Sequence, residues 1–412
     1  MYGRSTAALQ PGTISNMFGT WFSLFFQTVT PRRFLIHWLG RGNHYAAHPT
    51  ETGPDMRDSA AILTTASTIT AFLVLGLALA KQNGAATPRI QILPDESARR
   101  VDVVIDGKPF TSYIWPVNLA KPVLYPLRAA DGTVVTRGFP LEPRPGERVD
   151  HPHHVGLWFN YGNVNDFDFW NNSYAIKKED ARKMGNILQR KIVSSKSGND
   201  KGDLVVETDW ISGTQKLLLK EHTKFVFSGD KNSRTIDRIT TLQAQDERVV
   251  FHDDKEGMLG MRVTRALEMP SKTAEVFTDA NGNPTTVAKL DNAGVNGNYL
   301  TSEGKTGDEA WSTRGKWCML SGKVGGKPVT IAIFDNPRNP NFPTYWHARG
   351  YGLFAANPLG RSIFTNGKEQ PLNFTIEPHA SATFRYRVVI FSELASPQAA
   401  EAEYGKFVSA YR

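Results

Sequence analysis

From residue 89 onward the chain is dominated by short runs in which apolar and polar residues alternate. The runs are rich in Val, Ile, Thr, Phe and Tyr and are separated by Gly, Asn, Asp and Pro, the pattern of antiparallel strands joined by turns. Val101–Ile105 is followed by the hairpin dipeptide Asp106-Gly107 and then by Lys108–Trp115. Further strands are predicted at Gln189–Ser194, Asp203–Ile211, Lys216–Phe227, Arg234–Gln243, Val329–Phe334 and Ala382–Phe391.

Helical patterns are few. One short helix is predicted within Lys178–Arg190, and another from Pro397 to Ser409 in the C-terminal segment 396–412. Many strands with so little helix predict an all-β fold, a single large antiparallel β-sandwich of the super-sandwich kind over residues 88–395. The Gly-, Asn- and Thr-rich stretch Asn281–Asp308 is predicted to be a long surface excursion from this sandwich.

The first eighty residues follow a different pattern. Ser59–Ala80 carries no charged residue, and Ala78-Leu79-Ala80 fits the small-x-small rule for signal cleavage. We interpret residues 56–80 as a signal peptide that starts at Met56, with an uncleaved N-terminal anchor and a buried helix as the alternatives. Residues 1–55 are then an unstructured upstream extension or a start-site error. The protein is expected to be secreted or periplasmic, with membrane attachment only through this segment.

Composition and charge exclude several classes of protein. The 412 residues include 48 Lys and Arg against 40 Asp and Glu, a net charge of +8. The sequence shows no arginine-rich arm, recognition-helix pattern or RNA-binding motif, so nucleic acid is not expected as a partner. The single cysteine, Cys318, can form neither an intramolecular disulfide nor a cysteine zinc site. Its apolar neighbours predict a buried thiol.

Three histidines lie in one tetrapeptide, His151-Pro152-His153-His154. The residues that follow alternate aromatic rings with Asn and Asp, a combination that suits sugar recognition because rings stack on pyranose faces while polar groups bind hydroxyls. A purely structural role in the core is the alternative for the aromatic residues. The candidate sugar-binding residues of this stretch are Trp158, Asn165, Asp168 and Trp170.

Two later motifs supply further chemistry. Asp254 and Glu256 are candidate acid or base groups, and the motif 343–360 adds a histidine, an aromatic ring, a guanidinium and an amide: His347, Tyr345, Arg349 and Asn357. The first hypothesis is a carbohydrate-active enzyme, a hydrolase, lyase or isomerase, that acts on a sugar or glycoside. We predict His153 or His347 as its general acid and Glu256 or Asp254 as its base, with Trp158 and Tyr345 as a stacking wall. Arg349 and Asn357 could bind a carboxylate or a hydroxyl group.

A metal site is the alternative. Imidazoles at positions i and i+2 can share a metal ion, and a third ligand can come from elsewhere in the chain. The candidate ligands are His151, His153, His154 and His252, and the candidate cofactor is a divalent transition metal such as zinc, copper or iron. A non-catalytic glycan-binding or structural protein is the third hypothesis. Esterase-elbow, phosphate-loop, dinucleotide and His-Glu-x-x-His motifs are absent from the sequence.

Several separated motifs resemble the PmoA family of soluble bacterial proteins. They are Asp150-His-Pro-His-His-Val-Gly-Leu-Trp-Phe159, Asn163-Val-Asn165 with Asp168-Phe-Trp170, Asp254-Lys-Glu-Gly257 and residues 343–360. The resemblance covers roughly residues 100–392. It implies a secreted or periplasmic β-sandwich, and it implies candidate positions rather than a reaction: His151, His153, His154, Asp168, Glu256, His347, Arg349 and Asn357. A carbohydrate or another small molecule is the expected ligand, and the oligomeric state stays open.

Overall fold

The computed structural model describes residues 87–412 apart from 272–273, 279–283 and 288–290. The predicted extension over residues 1–55 and the predicted signal peptide or anchor over 56–80 lie outside the described residues. The residues that are described belong to one compact unit. Within these ranges, no helix has the length and apolar character needed to cross a membrane.

Strands make up most of the regular structure. In chain order they are β1 Ile90–Asp95, β2 Arg100–Ile105, β3 Lys108–Ile114, β4 Val123–Leu124, β5 Leu157–Tyr161, β6 Asn186–Lys196, β7 Gly202–Ile211, β8 Leu217–Gly229, β9 Ser233–Ala244, β10 Val249–Phe251, β11 Gly257–Arg262, β12 Glu275–Thr278, β13 Pro284–Val287, β14 Asn298–Thr301, β15 Arg314–Gly315, β16 Trp317–Val324, β17 Lys327–Asp335, β18 Thr344–Ala348, β19 Leu353–Asn357, β20 Phe374–Ile376 and β21 Ser381–Phe391. The helical elements are 3₁₀ turns at Ala181–Lys183, Arg265–Leu267 and Gly307–Ala310, and α-helices at Arg361–Phe364 and Pro397–Ala410.

Two large antiparallel sheets hold most of these strands. Sheet A has nine strands in the order β1-β2-β3-β4-β5-β11-β19-β18-β15, and sheet B has eight in the order β14-β16-β17-β21-β9-β8-β7-β6. The pairs β10-β20 and β12-β13 form small two-stranded sheets. This arrangement confirms the predicted all-β fold, a large antiparallel β-sandwich with few short helices.

The core lies between the inner faces of sheets A and B. Successive side chains of a strand point to opposite faces, so one set from each strand packs inward. Phe159 of sheet A contacts Trp210 and Phe384 of sheet B, with ring centroids 6.5 and 5.8 Å apart. The core also encloses an ion pair, in which Arg238 Nη2 donates to Glu221 Oε1 at 2.6 Å. Burial of each large apolar side chain contributes about 1.5–3 kcal/mol to stability.

The structure confirms some local predictions and corrects others. The helix predicted within Lys178–Arg190 is wrong, because the chain makes a 3₁₀ turn at Ala181–Lys183 and then enters strand β6. As an edge strand with many exposed side chains, β6 has no clear alternation of polar and apolar residues. The C-terminal helix is confirmed, and the Ser396 side chain caps it by accepting from the Ala399 N–H group.

The stretch Asn281–Asp308 is not entirely a surface excursion. Its residues Asn298–Thr301 form β14, which pairs with β16 at the edge of sheet B. The predicted burial of Cys318 on β16 is confirmed, since its side chain is fully buried. Sheet pairing of β14 through the backbone, which depends little on side-chain composition, explains why a polar sequence forms this strand.

Candidate functional site

The candidate site lies on the outer face of sheet A, which points away from sheet B. Strand register places Gly260 of β11 between Trp158 of β5 and Ala355 of β19. Ala355 in turn pairs with His347 of β18. Because cross-strand partners share a face, these four residues form one row across four strands.

Gly260 allows aromatic rings to pack close to the backbone of strand β11. A Cβ atom at Gly260 would lie 2.6 Å from Trp158 Cε2 and 2.9 Å from the Trp170 ring, closer than van der Waals contact permits. The two indoles therefore pack flat against the strand, and both are 0% exposed. The prediction that Trp158 and Trp170 bind substrate is wrong, because both belong to a buried layer beneath the site.

His154 covers the Trp158 indole, with ring centroids 5.1 Å apart and planes 13° from parallel. Trp170 Nε1 lies 3.2 Å from its Nε2 atom, and Arg262 Nη1 lies 3.2 Å from its Nδ1 atom. Both neighbours are obligate donors, so neither ring nitrogen faces free space. Burial, followed by nearby positive charge, lowers the pKa of His154 well below its ordinary value.

His153 is also withdrawn from the open face. Its side chain is buried, its Nε2 atom has no hydrogen-bond partner, and its backbone carbonyl accepts from Lys121 Nζ at 2.9 Å. Burial, with the Lys121 charge as the second cause, lowers the pKa of His153 to about 2. Burial and the low pKa oppose the predicted role of His153 as a general acid, because the imidazole is uncharged at neutral pH.

The histidine metal site has no counterpart in the part of the chain that the structure describes, where no cluster of three or more His, Cys, Asp or Glu side chains is arranged to hold a metal ion. His154 has both nitrogens opposite donors, and His252 lies beside Asp166, with Nε2 and Oδ1 3.7 Å apart. The prediction of a site formed by His151, His153, His154 and His252 is corrected accordingly.

His151 is the member of the tetrapeptide that reaches solvent, with 42% of its side chain exposed. Its Nδ1–H group donates to Asp150 Oδ2 at 2.8 Å, so the Nε2 atom faces outward. His151 has a φ angle of 45°, in the left-handed region. A residue other than glycine held there costs about 1–3 kcal/mol, and such strain is concentrated at functional sites.

Asp150 is held from behind by two buried guanidinium groups. Its Oδ1 atom accepts from Arg137 Nη1 at 2.6 Å and from Arg262 Nη2 at 2.7 Å. Burial alone raises the pKa of Asp150, but the His151 hydrogen bond and the two positive charges outweigh it and hold this pKa well below its usual range. Asp150 is therefore an anchored anion that fixes the tautomer and direction of the His151 ring.

His347 is oriented in the same way by a different acceptor. Its Nδ1–H group donates to the backbone carbonyl of Lys255 at 2.9 Å, which leaves the Nε2 lone pair without a partner among the described residues. Burial lowers the pKa of His347 to about 3. The 3.8 Å contact with Glu256 Oε2 is consequently not an ion pair at neutral pH. A neutral His347 has an Nε2 atom able to accept a hydrogen bond, which does not suit the predicted role of general acid.

Aromatic contacts join the two histidines. The Tyr351 ring stacks on His151 at 5.3 Å and 4°, and the Trp311 ring meets His347 edge-on at 4.7 Å. The Arg349 guanidinium lies between them, 4.5 Å from the Trp311 centroid and 5.9 Å from the Tyr351 centroid. His151, Tyr351, Arg349, Trp311 and His347 form a continuous surface, which is called the imidazole face below.

Two carboxyl groups lie in the loop before β11. Glu256 accepts from the Lys255 ammonium, and Asp254 Oδ1 accepts from the Glu256 N–H group at 3.1 Å. Burial, together with the neighbouring Glu256 charge, raises the pKa of Asp254 to about 6. Of the predicted pair of acid or base groups, Glu256 therefore lies beside His347, and Asp254 can hold a proton in mildly acidic solution.

Asp168 and Asn357 hold loops in place rather than facing a ligand. Asp168 Oδ1 accepts from the Trp170 and Asn171 N–H groups, both at 2.9 Å. Asn357 is fully buried, and its amide donates to the Asp254 carbonyl at 2.8 Å. Their predicted substrate contacts are replaced by a positioning role, since Asn357 helps to place the loop that carries Asp254.

Asn165 and Tyr345 were predicted to bind substrate, but both side chains are engaged within the protein. Asn165 binds the backbone at Val250, whose N–H group donates to its Oδ1 atom at 2.7 Å. Tyr345 is 2% exposed because Phe364 stacks on its ring at 5.2 Å. Phe364 ends the short helix Arg361–Phe364, which covers this part of the outer face. Tyr345 therefore cannot form the predicted stacking wall.

Three residues of the site were not among the predicted site residues. Asp150 adjoins the histidine tetrapeptide, and Tyr351 lies within the motif 343–360, so both were close to a recognised signal. Trp311 is an isolated aromatic residue just after the 3₁₀ turn Gly307–Ala310. No local pattern marks it, because its role comes from packing against His347 and Arg349.

Fold and geometry together define an antiparallel β-sandwich protein with two oriented imidazoles on one outer sheet face. The chain belongs to a family of unknown function, DUF6807, whose sequence model matches residues 100–405. No curated protein matches the chain.

Solved structures of similar fold include several sugar-related proteins. A galactose mutarotase-like protein from Clostridium acetobutylicum is 12% identical with a TM-score of 0.36, over 74% of this chain and 98% of that chain. A galactose 1-epimerase from Lactobacillus acidophilus is 11% identical with a TM-score of 0.35, over 74% and 98%. A GH36 alpha-galactosidase from Geobacillus stearothermophilus is 10% identical with a TM-score of 0.32, over 73% and 40%.

Proposed function

We propose that the protein is a carbohydrate-active enzyme that carries out acid–base chemistry at the imidazole face. The observation that carries the proposal is the matched pair of histidines. His151 and His347 each commit Nδ1–H to an acceptor, the Asp150 carboxylate and the Lys255 carbonyl, and each keeps Nε2 for a ligand. An acceptor that fixes the imidazole tautomer in this way prepares Nε2 for general acid–base catalysis.

The two histidines receive different roles. His151 takes a proton from a sugar hydroxyl through Nε2, and Asp150 stabilises the imidazolium that forms. His347 stays neutral at pH 7 because its pKa is about 3, so its Nε2 atom accepts a hydrogen bond and orients the substrate. Asp254, whose pKa is raised to about 6, is the proposed proton donor. In a reducing sugar, removal of the anomeric hydroxyl proton and protonation of the ring oxygen open the ring.

Histidine variants test the proposal. Wild type is assayed by NMR exchange between the anomers of aldohexoses, hexuronates and sugar phosphates, and with p-nitrophenyl glycosides. His151→Ala and His347→Ala are each expected to lower turnover about 10²–10⁴-fold, the usual contribution of an acid–base group. His222→Ala is the control, because His222 is an exposed histidine on the outer face of sheet B. Wild-type turnover in both test variants, or no turnover of any compound by wild type, would reject the proposal.

We also infer export from the cell and a relationship to the PmoA proteins. Export is supported by the uncharged Ser59–Ala80 stretch and the Ala78-Leu79-Ala80 sequence. N-terminal sequencing of protein recovered from the periplasm or medium is expected to begin at Lys81. Recovery of the chain in the cytoplasm with residues 56–80 intact would contradict export.

A further inference from the structure

Arg349 has an unusual environment for a charged side chain. Its guanidinium lies over the Trp311 ring at 4.5 Å and near the Tyr351 ring at 5.9 Å. The side chain is half-buried, and among the described residues it has neither an ion pair nor a side-chain hydrogen bond. Two aromatic rings restrict its motion while its N–H donors remain unused, so the arginine is pre-organised for a ligand.

Two carboxylates beside the imidazole face are already engaged. Glu256 accepts from Lys255, and Asp150 is shared by the buried Arg137 and Arg262. Burial keeps the neighbouring His347 neutral at pH 7 by lowering its pKa to about 3. Among the described residues Arg349 therefore forms no ion pair, and the nearby Arg137 and Arg262 share the single carboxylate of Asp150.

We propose that the enzyme acts on sugar acids, and that Arg349 binds the substrate carboxylate. This inference rests on the proposed function. A planar guanidinium pairs with a carboxylate through two parallel hydrogen bonds. Arg349 follows His347 by two residues, roughly 7 Å along an extended chain, and both contact Trp311. In a hexuronate the anomeric carbon and the carboxylate-bearing carbon flank the ring oxygen, so a single ring can reach both residues.

A carboxylate fits the site better than a phosphate does. Phosphate sites usually gather several donors, such as successive backbone N–H groups or a helix N-terminus. Arg349 provides a single guanidinium group, which lies between the Trp311 and Tyr351 rings. One guanidinium that donates two parallel hydrogen bonds matches a carboxylate, which is planar and singly charged. Assays with sugar phosphates test whether a carboxylate is preferred over a phosphate.

The experiment compares galacturonate and glucuronate with galactose, glucose and their 6-phosphates on the full chain. Wild type is expected to favour the hexuronates over the neutral sugars about 10–100-fold in kcat/KM, the contribution of a charge-assisted pair. Arg349→Gln is expected to bring this ratio close to one, and Arg349→Lys to give an intermediate ratio. Arg182→Gln, which changes an exposed arginine in the 3₁₀ turn Ala181–Lys183, is expected to keep the wild-type ratio.

The outcomes separate the inference from the proposed function. Equal turnover of neutral and acidic sugars by wild type overturns the carboxylate assignment while acid–base catalysis stands. Preference for the sugar 6-phosphates also overturns it. If wild type turns over no sugar, the proposed function fails, and calorimetric titration with galacturonate decides the inference. Absence of binding that depends on Arg349 then rejects it, with circular dichroism confirming that each variant is folded.

Discussion

The outer faces of the two sheets carry similar residue types in very different surroundings. On sheet B, Glu207 pairs across strands with His222, their side chains are 49% and 53% exposed, and the charged atoms lie 3.7 Å apart. Arg190 and Asp209 line the same groove of about 570 Å³. On sheet A, loops cover the strands, and His347 is only 2% exposed.

This difference shows that a histidine beside a carboxylate is not enough to make a site. Solvent screens the charged groups of sheet B, and their side chains are free to move. On sheet A, Asp150 holds His151 in one tautomer, and burial keeps His347 neutral. A groove lies on sheet B, but the oriented imidazole nitrogens lie on sheet A.

The largest contrast is expected from removing a guanidinium on each face. Arg262→Met breaks a buried cluster and is expected to lower the free energy of unfolding by about 3–5 kcal/mol. Arg190→Met removes a pair whose arginine is 49% exposed and is expected to cost about 0–1 kcal/mol. Urea unfolding followed by tryptophan fluorescence measures both. Equal losses would show that the two faces do not differ in the way described.

Replacing the Asp150 carboxylate is expected to have a smaller effect on the free energy of unfolding. Asp150→Asn weakens charge-assisted hydrogen bonds and is expected to cost about 1.5–3 kcal/mol at pH 7. Because the folded protein lowers the pKa of Asp150, its contribution is complete above the unfolded value of about 3.9 and is lost as the pH falls below it. The difference in the free energy of unfolding between wild type and Asp150→Asn should therefore narrow below pH 4. Asp209→Asn is the matched change on sheet B, and an undiminished Asp150 gap at pH 3 would contradict the assignment.

The third expected effect is a change at His347 in how steeply stability depends on pH. Its pKa of about 3 in the folded state lies below the unfolded value of about 6.5, so between these values the unfolded chain binds the extra proton. Stability therefore rises with pH in this range, by about 1.4 kcal/mol per pH unit for one such group. His347→Gln is expected to reduce the slope by that amount between pH 4 and 6. Parallel curves for wild type and variant would show that His347 is not buried as a neutral ring.

The strands and turns of the fold were largely predictable, because alternation and the Asp106-Gly107 turn are local signals. The predicted hairpin is the pair β2–β3, with Asp106 and Gly107 at φ angles of 52° and 71°. Strand β6 was predicted only in part, as Gln189–Ser194, because its exposed edge weakens the alternation on which prediction depends. Assignment to a large sandwich followed from the number of strands, whereas the order of strands in each sheet depends on contacts between distant residues.

The sequence predicted which motifs contribute to the site, but it did not predict which way their side chains face. The tetrapeptide with His151, the loop with Glu256 and the strand with His347 and Arg349 do contribute to one face, as their residue types suggested. The sequence could not show that Trp158 and Trp170 lie beneath His154, since alternation does not say which face of a sheet is covered. Trp311 could not be found at all, because only the folded chain brings it to His347.

The glycine at position 260 provides a criterion for comparing relatives of this protein. Both indoles, the His154 ring above them and the exposed His151 ring depend on a strand with no side chain at that point. A homologue with alanine or a larger residue there would have to shift the whole stack, which changes the contact between the His151 ring and Tyr351. Position 260 therefore indicates whether a relative can retain this site, even though it never touches a ligand itself.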